Sequence, residues 1–272
     1  MNVSLFNVAM ALYFGASVLY AVFLASRKSR AVGLAATATC ATGFLVNTAA
    51  MATRWAETYR LGFGYVPLSN MYESMVFFAW ATILIYLVFE WRLGNRSLGA
   101  FVAPLGALSI ALVSLNPAIS REIEPLVPAL QSNWLTAHVV TCFLGYAAFA
   151  VGFAVSIVYL VKGNADEGLL PSGKALDDLA YRTVAVGFPF LTAGILTGAA
   201  WANYAWGTYW SWDPKETWSL ITWLLYAAYL HARFSAGWRG RRLAWLSGVG
   251  FAATIFTYWG VNFVLSGLHS YG

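Results

Sequence analysis

The chain has 272 residues, of which 60% are hydrophobic and only 10% charged, and its formal net charge is +5. A soluble domain typically carries about 25% charged residues, so this composition cannot cover a water-facing surface and lipid must be the main solvent. The basic residues recur between apolar runs and are not massed on one segment, so the positive balance is a topology signal and not a nucleic-acid footprint.

A membrane-spanning helix needs about 20 mostly apolar residues. Eight runs approach that requirement, at 4–25, 32–52, 70–90, 98–115, 134–161, 183–203, 217–234 and 243–266. The fourth and seventh are the shortest. The first has no basic segment ahead of it and no clear cleavage site, which reads as a retained span and not a signal peptide. Lys and Arg in the loops set the orientation. One set of loops holds Arg27, Lys28, Arg30, Arg92, Arg96, Lys162, Lys174, Arg182, Arg233, Arg239, Arg241 and Arg242, against Arg54, Arg60, Arg121 and Lys215 in the other. The first set is cytoplasmic by this rule. The expected fold is an all-α integral membrane protein of about eight transmembrane helices with both termini on the outer face, forming a single polytopic domain over residues 1–272. The longest inner connector, about 162–182, carries Asp166, Glu167, Asp177 and Asp178 with a Pro-Ser-Gly break and reads as solvated. Arg and Lys near the outer helix ends read mostly as solvated anchors.

The outer loop between the sixth and seventh spans, about 201–217, is unusual. The stretch WANYAWGTYWSWDPKETW, residues 201–218, holds Trp201, Trp206, Trp210, Trp212 and Trp218 among the 13 tryptophans of the chain, followed by Asp213, Lys215 and Glu216. An interfacial aromatic belt needs only one or two rings per helix end. That explanation suits Trp55, Trp91, Trp134 and Trp238 but not this density. Asp213, Pro214 and Glu216 also form an ordinary helix start, with Asp as N-cap, Pro at the first helical position and Glu in the first turn.

The chain has three histidines. His138 falls at the outer start of the fifth span and His269 just past the outer end of the eighth, on the same face as the Trp-rich loop. His231 lies 13 residues after Trp218 along the seventh span, roughly 20 Å deeper at 1.5 Å per residue. One ion cannot bind His231 and the outer pair together, because first-shell bonds are about 2 Å. A lone interfacial histidine is more often a hydrogen-bonding residue than a ligand. Two on one face beside an aromatic platform point to haem, whose iron takes imidazole pairs, whose macrocycle stacks on aromatic faces and whose propionates meet cations or amides. The two cysteines, Cys40 and Cys142, lie inside apolar stretches without CxxC or Cys/His zinc spacing, which argues against thiol exchange and zinc.

The segment WGTYWSWDPKETWSLITWLLYAAYLHAR, residues 206–233, closely resembles the signature of the CcsA (ResC) cytochrome c biogenesis proteins, members of the WWD-motif haem-handling superfamily. PLSNMYES at 67–74, LTAHVVTCFLGYAAFA at 135–150 and GVNFVLSGLH at 260–269 extend the likeness over nearly the whole chain. The resemblance implies a haem export and attachment subunit of a cytochrome c synthase, working with a CcsB (ResB)-type membrane partner. Haem b is the transported substrate that the resemblance implies. The pair presents reduced haem at the outer face for thioether formation with the CxxCH cysteines of apocytochrome c. The resemblance also implies that His138 and His269 ligate the outer haem iron, that His231 marks an inner haem site whose second ligand comes from the partner, and that Trp201, Trp206, Trp210, Trp212, Asp213 and Trp218 cradle the cofactor. No catalytic side chain is assigned, since the chemistry needs positioning and ferrous iron more than acid–base groups. The bacterial cytoplasmic membrane, or the thylakoid membrane in a plastid, is the implied location. A haem carrier without ligation activity and a cytochrome b-type electron-transfer subunit are the alternatives. The second usually needs four histidines paired across two helices.

Overall fold

The computed structural model describes residues 2–26, 29–162 and 170–265. Among the described residues every regular element is helical: α1 (Asn2–Ala25), α2 (Arg30–Arg60), α3 (Met71–Leu93), α4 (Gly99–Ser114), α5 (Asn133–Lys162), α6 (Gly173–Trp206), α7 (Pro214–Phe234) and α8 (Arg241–Ile255). Helix α8 continues through a π-helical segment, Phe256–Gly260, into a last turn, α9 (Val261–Val264). A single 3-10 turn, Pro128–Leu130, precedes α5. Each of the eight apolar runs is overlaid by one helix. Helices α1, α2, α3, α5 and α6 are each long and apolar enough to cross a membrane by length and composition, and α4 is a shorter apolar helix. The chain is an all-helical integral membrane protein.

The helix ends depart from the hydropathy runs, for identifiable reasons. Helix α2 extends past residue 52 to Arg60. Arg54, expected as a solvated anchor, is instead 1% exposed. Its Nε donates to Glu73 Oε1 at 2.8 Å, and its terminal nitrogens donate to the carbonyls of Arg121 at 2.9 Å and Glu122 at 3.0 Å. A buried charge persists only when paired and hydrogen-bonded, and the extra turns of α2 place the guanidinium where its partners are. Helix α6 likewise starts at Gly173, with Ser172 as N-cap accepting from the Ala175 amide. Residues 173–182 are therefore helical and not the solvated connector expected. Asp177 accounts for this: it is salt-bridged to the buried Arg233 of α7 and accepts the Gly240 amide at 2.7 Å. Asp166 and Glu167 of that connector lie outside the described residues.

The described chain divides into two compact units. In the first, α1 packs on α2 and α4, and α3 on α2 and α4. Its interior is not wholly apolar: Tyr20 and Tyr86 both donate to Glu90 Oε2 at 2.5 Å. In the second unit α5 and α6 form the most extensive helix pair, α8 packs on α5, and α7 packs on α6 and α8. The α5–α6 approach is close because the seam is built from small residues, which let helix backbones meet where lipid supplies no hydrophobic push. A Cβ on Gly145 of α5 would lie 3.0 Å from the Leu191 amide nitrogen and 3.1 Å from the Gly187 carbonyl of α6.

Candidate functional site at the Trp-rich loop

Helix α6 ends at Trp206 because Gly207 takes the left-handed C-cap conformation, φ 75°, and donates to the Asn203 carbonyl. Helix α7 begins as its composition dictates. Asp213 is the N-cap and accepts from the Lys215 amide at 2.9 Å, Pro214 occupies the first turn, and Glu216 completes a capping box. Glu216 does more than cap. Its Oε2 accepts the backbone amides of both Ser211, at 2.8 Å, and Asp213, at 3.2 Å. Two amides flanking one residue and converging on one carboxylate form an anion nest. The residue between them, Trp212, is held at φ 62°, and among the described residues it alone of the non-glycines has positive φ. Its ring is 67% exposed, with Trp210 meeting it edge to face at 5.8 Å.

His138 sits early in α5 and is half-buried. Its Nδ1 lies 2.7 Å from the Gly194 carbonyl oxygen of α6. A carbonyl can only accept, so Nδ1 donates, and the neutral ring carries its lone pair on Nε2. The ring stacks on Trp201 with centroids 6.0 Å apart and planes at 20°. Trp201 is 1% exposed and its Nε1 donates to the Ala129 carbonyl at 2.8 Å. It therefore backs the imidazole, with Trp206 edge-on to it at 4.9 Å. The structure thus brings His138, Trp201 and Trp206 together. Trp218 is half-buried against Phe256 of the π segment at 4.2 Å, and Thr257 Oγ1 donates to the Trp218 carbonyl at 3.1 Å. Lys215 Nζ donates to Asn262 Oδ1 at 2.8 Å, tying the start of α7 to α9. His269 lies outside the described residues.

His231 stands apart. It is in the last turn of α7 and exposed, with Nδ1 3.4 Å from Ser235 Oγ. Leu224 and Ala228, seven and three residues earlier, are exposed on the same stripe. Among the described residues no three His, Cys, Asp or Glu side chains gather as a metal site. An axial haem ligand needs no such cluster, because the porphyrin supplies the equatorial nitrogens. A neutral imidazole with its lone pair on Nε2, beside flat apolar rings, fits axial ligation and stacking of a macrocycle.

Several residues of the site carried no weight in the sequence reading: Gly194 and Gly198 behind His138, Phe256 and Asn262 beside the start of α7. The spacing Gly187, Gly194, Gly198 marks one face of α6 and was the available signal. The stretch PLSNMYES also has a structural use, since Asn70 caps α3 by accepting the Glu73 amide and Glu73 pairs with Arg54.

Residues 68–269 match the profile of the family described as cytochrome C assembly protein. The chain belongs to this family. The matched stretch runs from the loop ahead of α3 to the C-terminal segment, and so takes in all three histidines and the whole Trp-rich loop. The chain is 43% identical to the cytochrome c biogenesis protein CcsA of Guillardia theta, over 83% of this chain and 81% of that one. It is 38% identical to the CcsA of Gloeobacter violaceus, over 100% and 96% of the two chains. Among solved structures, the cytochrome c heme lyase CcmF superimposes with a TM-score of 0.67 at 21% identity, over 94% of this chain and 46% of that one. The two share a fold, and this chain spans about half the length of CcmF. Its role lies in cytochrome c biogenesis.

Proposed function

We propose that this chain is the haem-carrying and haem-presenting subunit of a cytochrome c synthase. With a CcsB (ResB)-type membrane partner it moves haem b to the outer face of the bacterial cytoplasmic, or thylakoid, membrane and holds it reduced for attachment to apocytochrome c. The observation that carries this reading is the setting of His138. An imidazole is fixed through Nδ1 by a backbone carbonyl and backed by a buried Trp201, at the edge of a Trp-rich loop.

In this reading His138 and His269 are the axial ligands of the outer haem, and Trp206, Trp210, Trp212 and Trp218 with Asp213 border it. Filling both axial positions keeps oxygen off the ferrous iron. His231 serves an inner haem, and its exposure on α7 suits a second ligand from the partner subunit. The attachment step is the addition of a cysteine thiol across a vinyl C=C bond. The C–S bond forms at the inner vinyl carbon, the thiol proton ends on the terminal carbon, and nothing is oxidised. Positioning supplies most of the acceleration such a step needs, which is why no general acid or base is assigned to this chain.

The test is the reduced-minus-oxidised spectrum of the complex purified with its partner, for wild type and for His138→Ala, His269→Ala and His231→Ala. Two separable bis-histidine haem populations are expected. The outer one should vanish in either of the first two variants and the inner one in the third. A correctly assembled complex that makes holocytochrome c without His138 overturns the ligand assignment.

A further inference from the structure

We infer that Gly198 and the Gly194 carbonyl of α6 are a built positioning device for His138, selecting the tautomer that offers Nε2 to haem iron. This rests on the function proposed above and adds to it the residues that hold the ligand.

A helical carbonyl is normally shielded from a neighbouring helix. Side chains tilt toward the helix N-terminus, so the residue four positions on lies over the carbonyl of residue i. Residue 198 is the one whose side chain would cover the Gly194 carbonyl, and it is glycine. A Cβ built at Gly198 falls 2.5 Å from His138 Nδ1 and 2.8 Å from its Cε1, well inside contact distance. The Nδ1 edge of the imidazole therefore occupies the space a methyl group would fill. A Cβ at Gly194 would collide with Cys142 Sγ, one turn along α5. Both glycines are thus required for α5 to come close enough for the 2.7 Å hydrogen bond. Cys142 Sγ lies 3.7 Å from the same Nδ1 and is the poorer acceptor, so the carbonyl decides where the proton sits. Trp201, three residues beyond Gly198 and nearly parallel to the imidazole, fixes the remaining rotation of the ring.

The consequence is chemical and not only steric. With the proton on Nδ1 and donated to a carbonyl, Nε2 is the sole ring nitrogen of a neutral imidazole with a lone pair, and the hydrogen bond fixes the tautomer and the ring orientation. Loss of such an outer partner typically weakens metal binding about 10–100-fold.

Two measurements on the full chain test this. First, haem retention and spectra are read in the complex with its partner for Gly198→Ala beside His138→Ala. Gly198→Ala should lower outer-haem retention about 10–100-fold while the inner haem at His231 stays, which reports an intact fold. Second, nitrogen-15 NMR of histidine-labelled, haem-free wild-type chain should show His138 as the Nδ1–H tautomer. It needs no variant, so it decides the matter if Gly198→Ala loses both haems by misfolding. Wild-type outer-haem retention in Gly198→Ala, or an Nε2–H tautomer at His138, overturns the inference and leaves the proposed function standing. Outer haem retained in His138→Ala overturns instead the ligand assignment made under the proposed function, while the tautomer measurement still reports on the glycines.

Discussion

At the scale of single residues, Trp212 concentrates the conflict between stability and use. A bulky residue held in the left-handed region costs on the order of 1 kcal/mol or more, whereas glycine occupies it freely. Glu216 enforces that conformation by gathering the amides of Ser211 and Asp213, and the ring it throws outward is 67% exposed. Trp212→Gly should therefore leave the thermal stability of the purified complex unchanged, or raise it by about 1 kcal/mol, while holocytochrome c formation falls. Thermal unfolding followed beside covalent haem staining separates the two effects. A clear drop in stability would mean that the ring packs to hold the loop. The contrast with its neighbours shows what one sequence can disclose. The helix start at Asp213, Pro214 and Glu216 is legible because an N-cap and its partners lie within a few residues. The φ of Trp212 is not, because it depends on Glu216 reaching back past its own cap to Ser211. The burial of Trp201 is likewise hidden, since its partners Ala129 and His138 come from beyond its own helix.

At the scale of elements, hydropathy located each helix but not its ends. The run at 32–52 stops where charge begins, yet α2 continues to Arg60 because Arg54 finds Glu73 on α3. The start of α6 was hidden in the same way, with Asp177 paired to Arg233 on another helix. A hydropathy window counts both as loop chemistry, because it cannot see the opposite charge that neutralises them. Helix pairing was also illegible, although its cause lies in the small residues of α5 and α6. Gly145 is a position where the seam can give little, since its nearest neighbours are backbone atoms of Leu191 and Gly187 that no rotamer change can move. Overpacking a close contact typically costs about 1–3 kcal/mol. Gly145→Leu should reach at least the upper part of that range, read as a lower unfolding temperature of the purified chain. Because His138 rides on the same seam two turns away, the variant should also shed outer haem at temperatures where it is still folded. Wild-type stability in Gly145→Leu would show that the helices can separate without loss.

At the scale of the whole molecule, the question is whether the three histidines serve two depths. Along α7 the separation is fixed by helix geometry: His231 follows Trp218 by 13 residues, about 20 Å at the α-helical rise. Which end faces the cytoplasm rests on charge. Twelve of the 16 basic residues fall in one set of alternating loops and the helix ends beside them, and basic segments of this kind are generally retained on the cytoplasmic side. The chain allows a direct test because both native cysteines, Cys40 and Cys142, are buried and give no background to thiol reagents. Tyr209 in the Trp-rich loop is 63% exposed, and Ser235 is exposed one turn past His231. In intact cells a membrane-impermeant maleimide should label Tyr209→Cys and spare Ser235→Cys, which should react only after the membrane is opened. Labelling of both from outside would put the ends of α7 on one face and leave no separate inner site for His231. Labelling of Ser235→Cys alone would invert the chain, placing the Trp-rich loop and His138 in the cytoplasm, where haem presentation to an exported apocytochrome fails. The charge asymmetry favours the first pattern, which is the one that the proposed two-depth handling of haem requires.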